Sequence, residues 1–474
     1  MDDLYKYFNI PAKEFWFNPK YKAGIWDGRI PFMHKNGLFG IGLLDQVIKF
    51  VRRDDLDISV DKQLVEKIES DDFTEVTEQW LNEEWIPRPH QIKGAKLALR
   101  NKRCILEHAT SSGKSLTIAM VAMYRLLKGH SQKVLILVPN LGLIEQMIND
   151  FTGYGIPPED MGRFSGKVKD TEQKIIVSTW QSLVNNKKLA STFDTIICDE
   201  THGLKAKVVR EVAESVCNAD VRIGCTGTMP DDKSEKMLIT SMLGPVIHQI
   251  SAKYLIDNKL ASDISIKIVY IKYPKSYEKK IKNIVLKNSK ISPTSSTFNC
   301  EKEKNFIEDN TYRTGVINEI CKKHTDKEHN VLILINKKDH GKYLYDHISK
   351  GGTVNNVFYI DGDMNIKERE RIRQYANKNK GVIMIATSGV FSIGISINRL
   401  HAIIFAEAGK SKIRTLQSVG RGLRLHTEKK KFILYDIGDS FKYSEKHLEG
   451  RLKMYAKAEF PVDIIELEVK DANI

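Results

Sequence analysis

Ala109-Thr110-Ser111-Ser112-Gly113-Lys114-Ser115 constrains this chain more than any other stretch. The apolar run Cys104-Ile105-Leu106 precedes it, and an apolar helical pattern runs from Leu116 to Leu127 after it. A strand, a loop of small residues, Lys-Ser and then a helix form the arrangement that cradles phosphate. Loop N–H groups and the helix N-terminus face the anion, the lysine adds positive charge, and the serine hydroxyl reaches magnesium. In this reading Thr110, Ser111, Ser112, Gly113, Lys114 and Ser115 hold nucleotide phosphates, with Ser115 also on the metal. The common pattern has a glycine five residues before the second glycine; His108 stands there. Gly-Lys-Ser also arises in ordinary strand-to-helix loops, so its meaning depends on the residues downstream of it.

The chain has 474 residues, room for roughly two to four domains with ample core. No apolar run approaches the roughly 20 residues that span a bilayer, and Met1-Asp2-Asp3-Leu4 lacks the form of a secretion signal. A cytoplasmic protein without membrane contact is expected. Six cysteines stand at 104, 198, 217, 225, 300 and 321, with no C-x-x-C pair, so no metal cluster or redox motif is signalled. Cys104, Cys198 and Cys225 lie in apolar runs and read as small core residues. The net charge is +14, which favours an anionic polymer as partner. Residues 1–84 carry 11 Lys and Arg against 17 Asp and Glu, so the excess of positive charge lies in the remainder.

Residues 1–84 read as a small α+β unit. Asp27-Gly28 reads as a hairpin turn, residues 43–51 as an amphipathic helix, and residues 54–84 as an acid-rich, solvated helical connection. The unit either packs on its neighbour or touches nucleic acid through Lys20, Lys22, Arg29 and Lys35, with Trp16 or Trp26 stacking or wedging. From Trp85, apolar runs at 133–138, 174–178, 195–198 and 221–225 alternate with helix-length segments. A second set begins after residue 253, at 264–272, 331–335, 357–360, 382–386, 402–406 and 432–435. Each set predicts a buried parallel sheet with crossover helices, an α/β class. The Lys-, Ser- and Asn-rich residues 274–304 read as a mobile insertion, a solvated or DNA-touching loop. The chain closes with a basic helix bearing Arg451, Lys453 and Lys457 and a short strand, 462–467.

Asp199-Glu200-Thr201-His202 comes directly after the apolar run 195–198. A carboxylate at the end of such a strand can hold magnesium, and the next can activate water against a γ-phosphate, so Asp199 is assigned to the metal and Glu200 to the base. Further on, Gln417-Ser418-Val419-Gly420-Arg421-Gly422-Leu423-Arg424 puts two arginines three residues apart, on one face if helical. Either could compensate transition-state charge on the γ-phosphate or bind a nucleic-acid backbone.

Gly113-Lys114-Ser115, Asp199 to His202, Thr226-Gly227-Thr228 and Gln417 to Arg424 resemble the ordered motifs of superfamily 2 helicases. Arg88-Pro89-His90-Gln91 resembles the upstream adenine-sensing element, which implies that Arg88 and Gln91 contact the base. Val138-Pro139-Asn140 resembles motif Ia, Ser178-Thr179-Trp180-Gln181 motif Ib, and residues 386–396 motif V. The resemblance places Gln417 at the nucleotide and assigns coupling to His202, Thr226, Thr228 and Gly394. It assigns strand contacts to Pro139, Asn140, Ser178, Thr179, Trp180, Thr387 and Ser388. With Tyr21 to Ile30 and the glycine-spaced run to Lys49, the set resembles the bacteriophage UvsW family of recombination and branch-migration helicases. That family implies two tandem RecA-like parallel-sheet domains, over 85–252 and 253–474, behind a small DNA-binding α+β domain over 1–84. It also implies ATP and magnesium as cofactors, and a monomer working in the host cytoplasm. The implied substrates are branched or forked DNA and RNA–DNA hybrids, and the implied actions are Holliday-junction migration, fork reversal and R-loop removal. An RNA-stimulated helicase, a restriction-type translocase and an ATP-switched annealing protein are the rival readings.

Overall fold

The structure, a computed structural model, describes residues 2–53, 57–67, 70–166, 168–184, 186–203, 211, 218–284, 296–350, 356–392, 397–407, 419–420, 422–426, 428–429 and 431–470. The chain forms two compact units, 1–250 and 251–474.

The first unit opens with β1 (Asn9–Pro11) paired antiparallel to β2 (Arg29–Pro31). Asp27-Gly28 is not the tight turn expected of it, since residues 12–28 all lie between the pairing strands. It starts β2 instead: Asp27 Oδ1 accepts the Arg29 N–H at 3.0 Å, and Gly28 has φ +78°. The helix Leu44–Arg53 buries Val47 and Val51 against Phe8, Ile10, Phe32, Met33 and Leu43. Met237, from the helix Lys233–Leu243, completes that cluster. Gly42 permits the close approach, because a Cβ there would lie 2.0 Å from the Thr240 carbonyl oxygen. The expected solvated connection over 54–84 is in part core. The helix Phe73–Glu78 buries Phe73 and Val76 against the α/β part, and the Tyr124 hydroxyl donates to Asp72 at 2.7 Å. The acidic composition there hides two apolar side chains three residues apart, one face of a helix.

The α/β part carries β3 (Arg103–His108), β4 (Val134–Val138), β5 (Met161–Ser165), β6 (Val168–Lys169), β7 (Ile175–Thr179), β8 (Thr195–Cys198), β9 (Val221–Thr226) and β10 (Val246–Ile250). Their order across the sheet is β10-β3-β9-β8-β4-β7-β5-β6, parallel except for the β5–β6 pair. The central strands are buried on both faces, which is why they read as continuous apolar runs. β5, β6 and β10 carry no such run and are the strands the pattern misses. Cys104, Cys198 and Cys225 are buried, as expected.

The second unit is a seven-stranded parallel sheet of β11 (Asp263–Lys272), β12 (Asn330–Ile335), β13 (Val357–Ile360), β14 (Ile383–Thr387), β15 (Leu400–Phe405), β16 (Lys431–Asp439) and β17 (Val462–Glu468). Its order is β13-β14-β12-β15-β16-β11-β17. Each unit thus has the parallel-sheet architecture of a RecA-like domain, and the first also carries the small α+β module.

Two expectations in the second unit need correction. Residues 274–304 are not a solvated loop throughout. Helices Ser276–Lys282 and Ser296–Glu308 frame the stretch, and Tyr277 is buried in an aromatic cluster with Tyr273, Phe306 and Phe441. Residues 285–295 lie outside the described residues. Arg451 is not part of a basic surface: it is buried and donates from Nε and Nη2 to Asp436 at 2.8 Å each, while the Tyr455 hydroxyl meets the same carboxylate at 2.8 Å. Removing a buried charge from water without such a partner is prohibitive, so the pair is structural.

Candidate active site

β3 delivers the chain to the loop 109–113, and the helix Lys114–Leu127 carries it away. Ser111 and Gly113 take positive φ, +73° and +81°. That conformation costs about 1 kcal/mol for a residue bearing a Cβ. At Gly113 the positive φ favours glycine, and a Cβ there would lie 2.2 Å from Gln91 Nε2, so any other residue would have to displace that side chain from the loop. The upstream element holds the loop by its carbonyls. Gln91 Nε2 donates to Gly113 O at 3.0 Å, His90 Nε2 meets Ser112 O at 2.9 Å, and Arg88 Nη1 approaches Ser111 O at 3.5 Å. Gln91 Oε1 accepts the Arg88 N–H at 2.7 Å. The two residues expected at a base therefore shape the phosphate loop in this structure. Within the loop the Ala109 N–H donates to Ile250 O and the Ser112 N–H to Ala109 O, while the first turn of the helix Lys114–Leu127 has leading N–H groups with no partner inside the helix, the place that suits an anion.

Lys114 Nζ lies 3.4 Å from His108 O and 3.6 Å from Glu200 Oε1. Glu200, just past β8, sits in the left-handed region, φ +51°, with its N–H donating to Asp199 Oδ1 at 3.0 Å. Burial first, and the neighbouring Glu200 charge second, push the Asp199 carboxyl up to about 7, against the pull of Lys114. A buried carboxyl raised in this way is one that a cation would return to its charged form. Among the described residues no group of three or more His, Cys, Asp or Glu could hold a metal. The oxygens of Asp199 and Ser115 are hard donors, of the kind that suit an oxygen-ligated divalent cation completed by phosphate and water. The Ser115 hydroxyl lies 2.9 Å from that of Tyr154, a neighbour the sequence does not signal.

A line of contacts leads on from Glu200. His202 Nδ1 lies 3.3 Å from Glu200 Oε2 and 2.8 Å from Thr226 Oγ1, which also meets Thr228 O at 3.1 Å. Glu107, at the end of β3, accepts the Met229 N–H at 2.9 Å. The structure thus brings together Arg88, Gln91, the loop, Lys114, Ser115, Asp199, Glu200, His202, Thr226 and Thr228. In the second unit Ser262 fixes the backbone around Arg424, its N–H reaching Leu423 O at 2.8 Å and its Oγ reaching Arg424 O at 3.1 Å. Gln417, Arg421 and Gly394 lie outside the described residues.

The expected strand-gripping side chains divide. Trp180 is 3% exposed within the core, and Ser178 is fully buried with its hydroxyl on Phe164 O at 2.7 Å. Neither side chain reaches solvent, so a strand contact at Ser178 or Trp180 is left to backbone, and the hydroxyl contact expected at Ser178 is taken up by Phe164 O. Thr179 is buried and meets Ser182 Oγ at 3.1 Å. Asn140 caps the helix Leu141–Tyr154 by accepting the Leu143 N–H at 3.2 Å, beside a half-buried Pro139. In the second unit Ser388 Oγ donates to Glu407 at 2.9 Å, while Thr387 is half-buried. Lys22 is exposed, whereas the Arg29 guanidinium donates to Asn9 O at 3.1 and 2.9 Å across the β1–β2 pair.

Three family models match in sequence order. "DNA helicase UvsW, N-terminal" covers residues 1–61, "Type III restriction enzyme, res subunit" residues 64–231, and "Helicase conserved C-terminal domain" residues 314–426. The ATP-dependent DNA helicase uvsW of Enterobacteria phage T4 is 29% identical, over 97% of this chain and 94% of its own length. The probable helicase D10 of Escherichia phage T5 is 23% identical, over 74% and 71%. Among solved structures, a fragment of a putative HsdR subunit of a type I restriction enzyme from Vibrio vulnificus YJ016 aligns with TM-score 0.61 at 17% identity, over 84% of this chain and 72% of that one, which shows a shared fold. Among the described residues no helix is long and apolar enough to cross a membrane. With a Gly-Lys-Ser loop, an acidic strand end and the contacts from Glu200 through His202 to Thr226 on one sheet, and with these relatives, the chain is a superfamily 2 ATP-dependent DNA helicase resembling the UvsW family.

Proposed function

We propose that this helicase drives branch migration, fork reversal and R-loop unwinding, acting as a monomer in the host cytoplasm with ATP and magnesium. Residues 1–84 serve as its accessory DNA-binding module, 85–252 as the nucleotide-binding domain and 253–474 as the second motor domain. The observation that carries the choice of branched DNA is the N-terminal module itself. Trp16, Phe17 and Ile25 are 51%, 66% and 75% exposed, close in sequence to Lys20 and Lys22, although the same module buries Phe8, Ile10, Phe32, Met33 and Leu43. Exposed rings in a segment that also carries lysines suit unpaired or unstacked bases at a branch point.

Lys114 and the loop N–H groups hold the phosphates. Ser115 and Asp199 hold magnesium, which supplies neutralisation of phosphate charge when bound. Glu200 leaves Lys114 when phosphate takes the ammonium, and its carboxylate is then available to orient water. His202 stands beside that carboxylate, hydrogen-bonds Thr226, and through it passes the carboxylate's rearrangement to Thr228. Arg421 and Arg424 carry transition-state charge, and Gln417 and Gly394 belong to the same nucleotide response. Backbone N–H groups near Pro139, Asn140, Thr179, Thr387 and Ser388 hold the strand without reading its sequence.

The test is a gel shift of the Trp16→Ala/Phe17→Ala protein on a four-way junction and on linear duplex, together with ATP hydrolysis stimulated by DNA or by RNA. Junction affinity is expected to drop about tenfold, within the range of one stacked base, and linear-duplex affinity to hold. Equal loss on both substrates, or stronger stimulation by RNA, would remove the branched-DNA reading.

A further inference from the structure

His108 occupies the place where the common phosphate-loop pattern has glycine, and its side chain is buried. The fold has made room for it. A Cβ on Gly94, in the helix Pro89–Asn101, would lie 2.8 Å from His108 Cε1 and 3.3 Å from His248 Nδ1. His108 Nε2 hydrogen-bonds His248 Nδ1 at 2.8 Å, and the His90 ring stands edge-on at 6.3 Å. A histidine pair of this kind needs one ring to donate and the other to accept, so at least one must be neutral. Burial, then His248, Lys114 and His90, hold His108 down to about 3, and burial with Lys93 and His90 lowers His248.

The partner of His108 matters because of where it sits. β10 pairs in parallel with β3, Ile250 opposite His108, and the Ala109 N–H donates to Ile250 O at 2.8 Å. Glu107 Oε2 accepts the Gln249 side-chain N–H at 2.6 Å, while its other oxygen holds Met229 N–H at the end of the line of contacts from Glu200. Residues 107, 108 and 109, which lead into the phosphate loop, are therefore each tied to β10. β10 is also the last element of the first unit. Ser251 is the only residue between it and the helix Ala252–Asp257, and Ser251 Oγ caps that helix by accepting the Tyr254 N–H at 3.0 Å. No slack linker separates the strand from the start of the second unit.

We infer that the His108–His248 pair is a positioning device that ties the phosphate loop to the strand leaving the first unit, so that nucleotide state at the loop is transmitted to the second unit. The inference rests on the reading of Lys114 as the phosphate ligand. Without the pair the loop still binds and hydrolyses nucleotide, but its rearrangement is taken up locally instead of by β10.

The experiment compares full-length wild type, His248→Ala, His248→Asn and His108→Gln on a four-way junction. It measures basal turnover, KM for ATP and base pairs unwound per ATP hydrolysed. Asparagine at 248 and glutamine at 108 each place an amide where the hydrogen-bonding ring nitrogen stood. For His248→Ala, basal turnover and KM stay within about twofold, while base pairs per ATP fall about tenfold, inside the usual range of coupling between sites. His248→Asn and His108→Gln recover most of that loss. Unchanged base pairs per ATP in His248→Ala overturns the inference, as does a loss confined to KM or basal turnover. If His248→Ala does not fold, folded His248→Asn or His108→Gln with coupling as poor as a tenfold loss overturns it equally. Lys114→Ala in the same assay separates the two readings. If it still hydrolyses ATP, the phosphate-ligand reading fails; if it is dead and His248→Ala couples normally, only the pair is refuted.

Discussion

The ends of β3 and β7 sit on one sheet and both carry expected functional residues, side chains at β3 and backbone N–H groups with hydroxyls at β7, and they are built differently. At the end of β3 the side chains are presented: Lys114 reaches Glu200 at 3.6 Å, and the loop conformation is enforced by Gln91 and His90 from behind. At the end of β7 the side chains turn inward: Ser178 and Trp180 are core, and Thr179 meets Ser182. The difference suits the two anions that the proposed function assigns to these ends. Displacing a terminal phosphate needs a mobile cation and a carboxylate in low dielectric, which backbone cannot supply. Gripping a sugar-phosphate strand without reading bases can be done by N–H groups at a strand end and helix start. Side chains at such a place are available to the core.

Four substitutions or conditions sharpen or break this contrast. Lys114→Ala is expected to lower ATP turnover about a thousandfold, about 4 kcal/mol in the barrier, while junction affinity in a gel shift stays within a few-fold. Trp180→Ala should destabilise the first unit by about 3 kcal/mol, as large-to-small core changes do. Its denaturation midpoint falls, yet the folded variant binds junction DNA like wild type; a selective loss of DNA binding would restore Trp180 as a contact. A third prediction uses pH. His108 is 1% exposed with its pKa held down to about 3. The unfolded chain therefore protonates first as pH falls, so stability is full above about 6.5 and is lost progressively towards 3. Between pH 7.5 and 5.5 this one residue removes about 1 kcal/mol, and thermal melts of His108→Gln should show a shallower pH dependence than wild type. Ser178→Ala, smallest in effect, loses one buried hydrogen bond worth about 1 kcal/mol, with junction affinity unchanged.

The phosphate loop was legible because Lys114-Ser115 lies between an apolar run and an apolar helix and is followed downstream by Asp199-Glu200 at the end of a second apolar run, the combination that an ordinary strand-to-helix loop lacks. The line of contacts from His202 to Thr226 and Thr228, with the coupling proposed for it, was legible only through resemblance, since two strands' ends must meet to form it. β10 was hidden: Val246-Ile247-His248-Gln249-Ile250 lies at a sheet edge, where one side faces solvent and no continuous apolar run is needed. With it went Gln249 and His248, the partners of Glu107 and His108. Charge was the least reliable guide, because a sequence shows a cation but not its partner. Arg451 belongs to Asp436, and Arg29 to the carbonyl of Asn9. Trp180 shows the same limit for aromatics, since a ring two residues past a buried serine reads equally as stacking surface or core.

Strand displacement from a four-way junction and from a linear duplex of matched sequence, each with and without ATP, tests the central claim most directly. An ATP-driven motor for branched DNA separates the junction only when ATP is present, and separates it faster than the duplex. Displacement that ignores ATP, or that runs as fast on the plain duplex, would contradict the account.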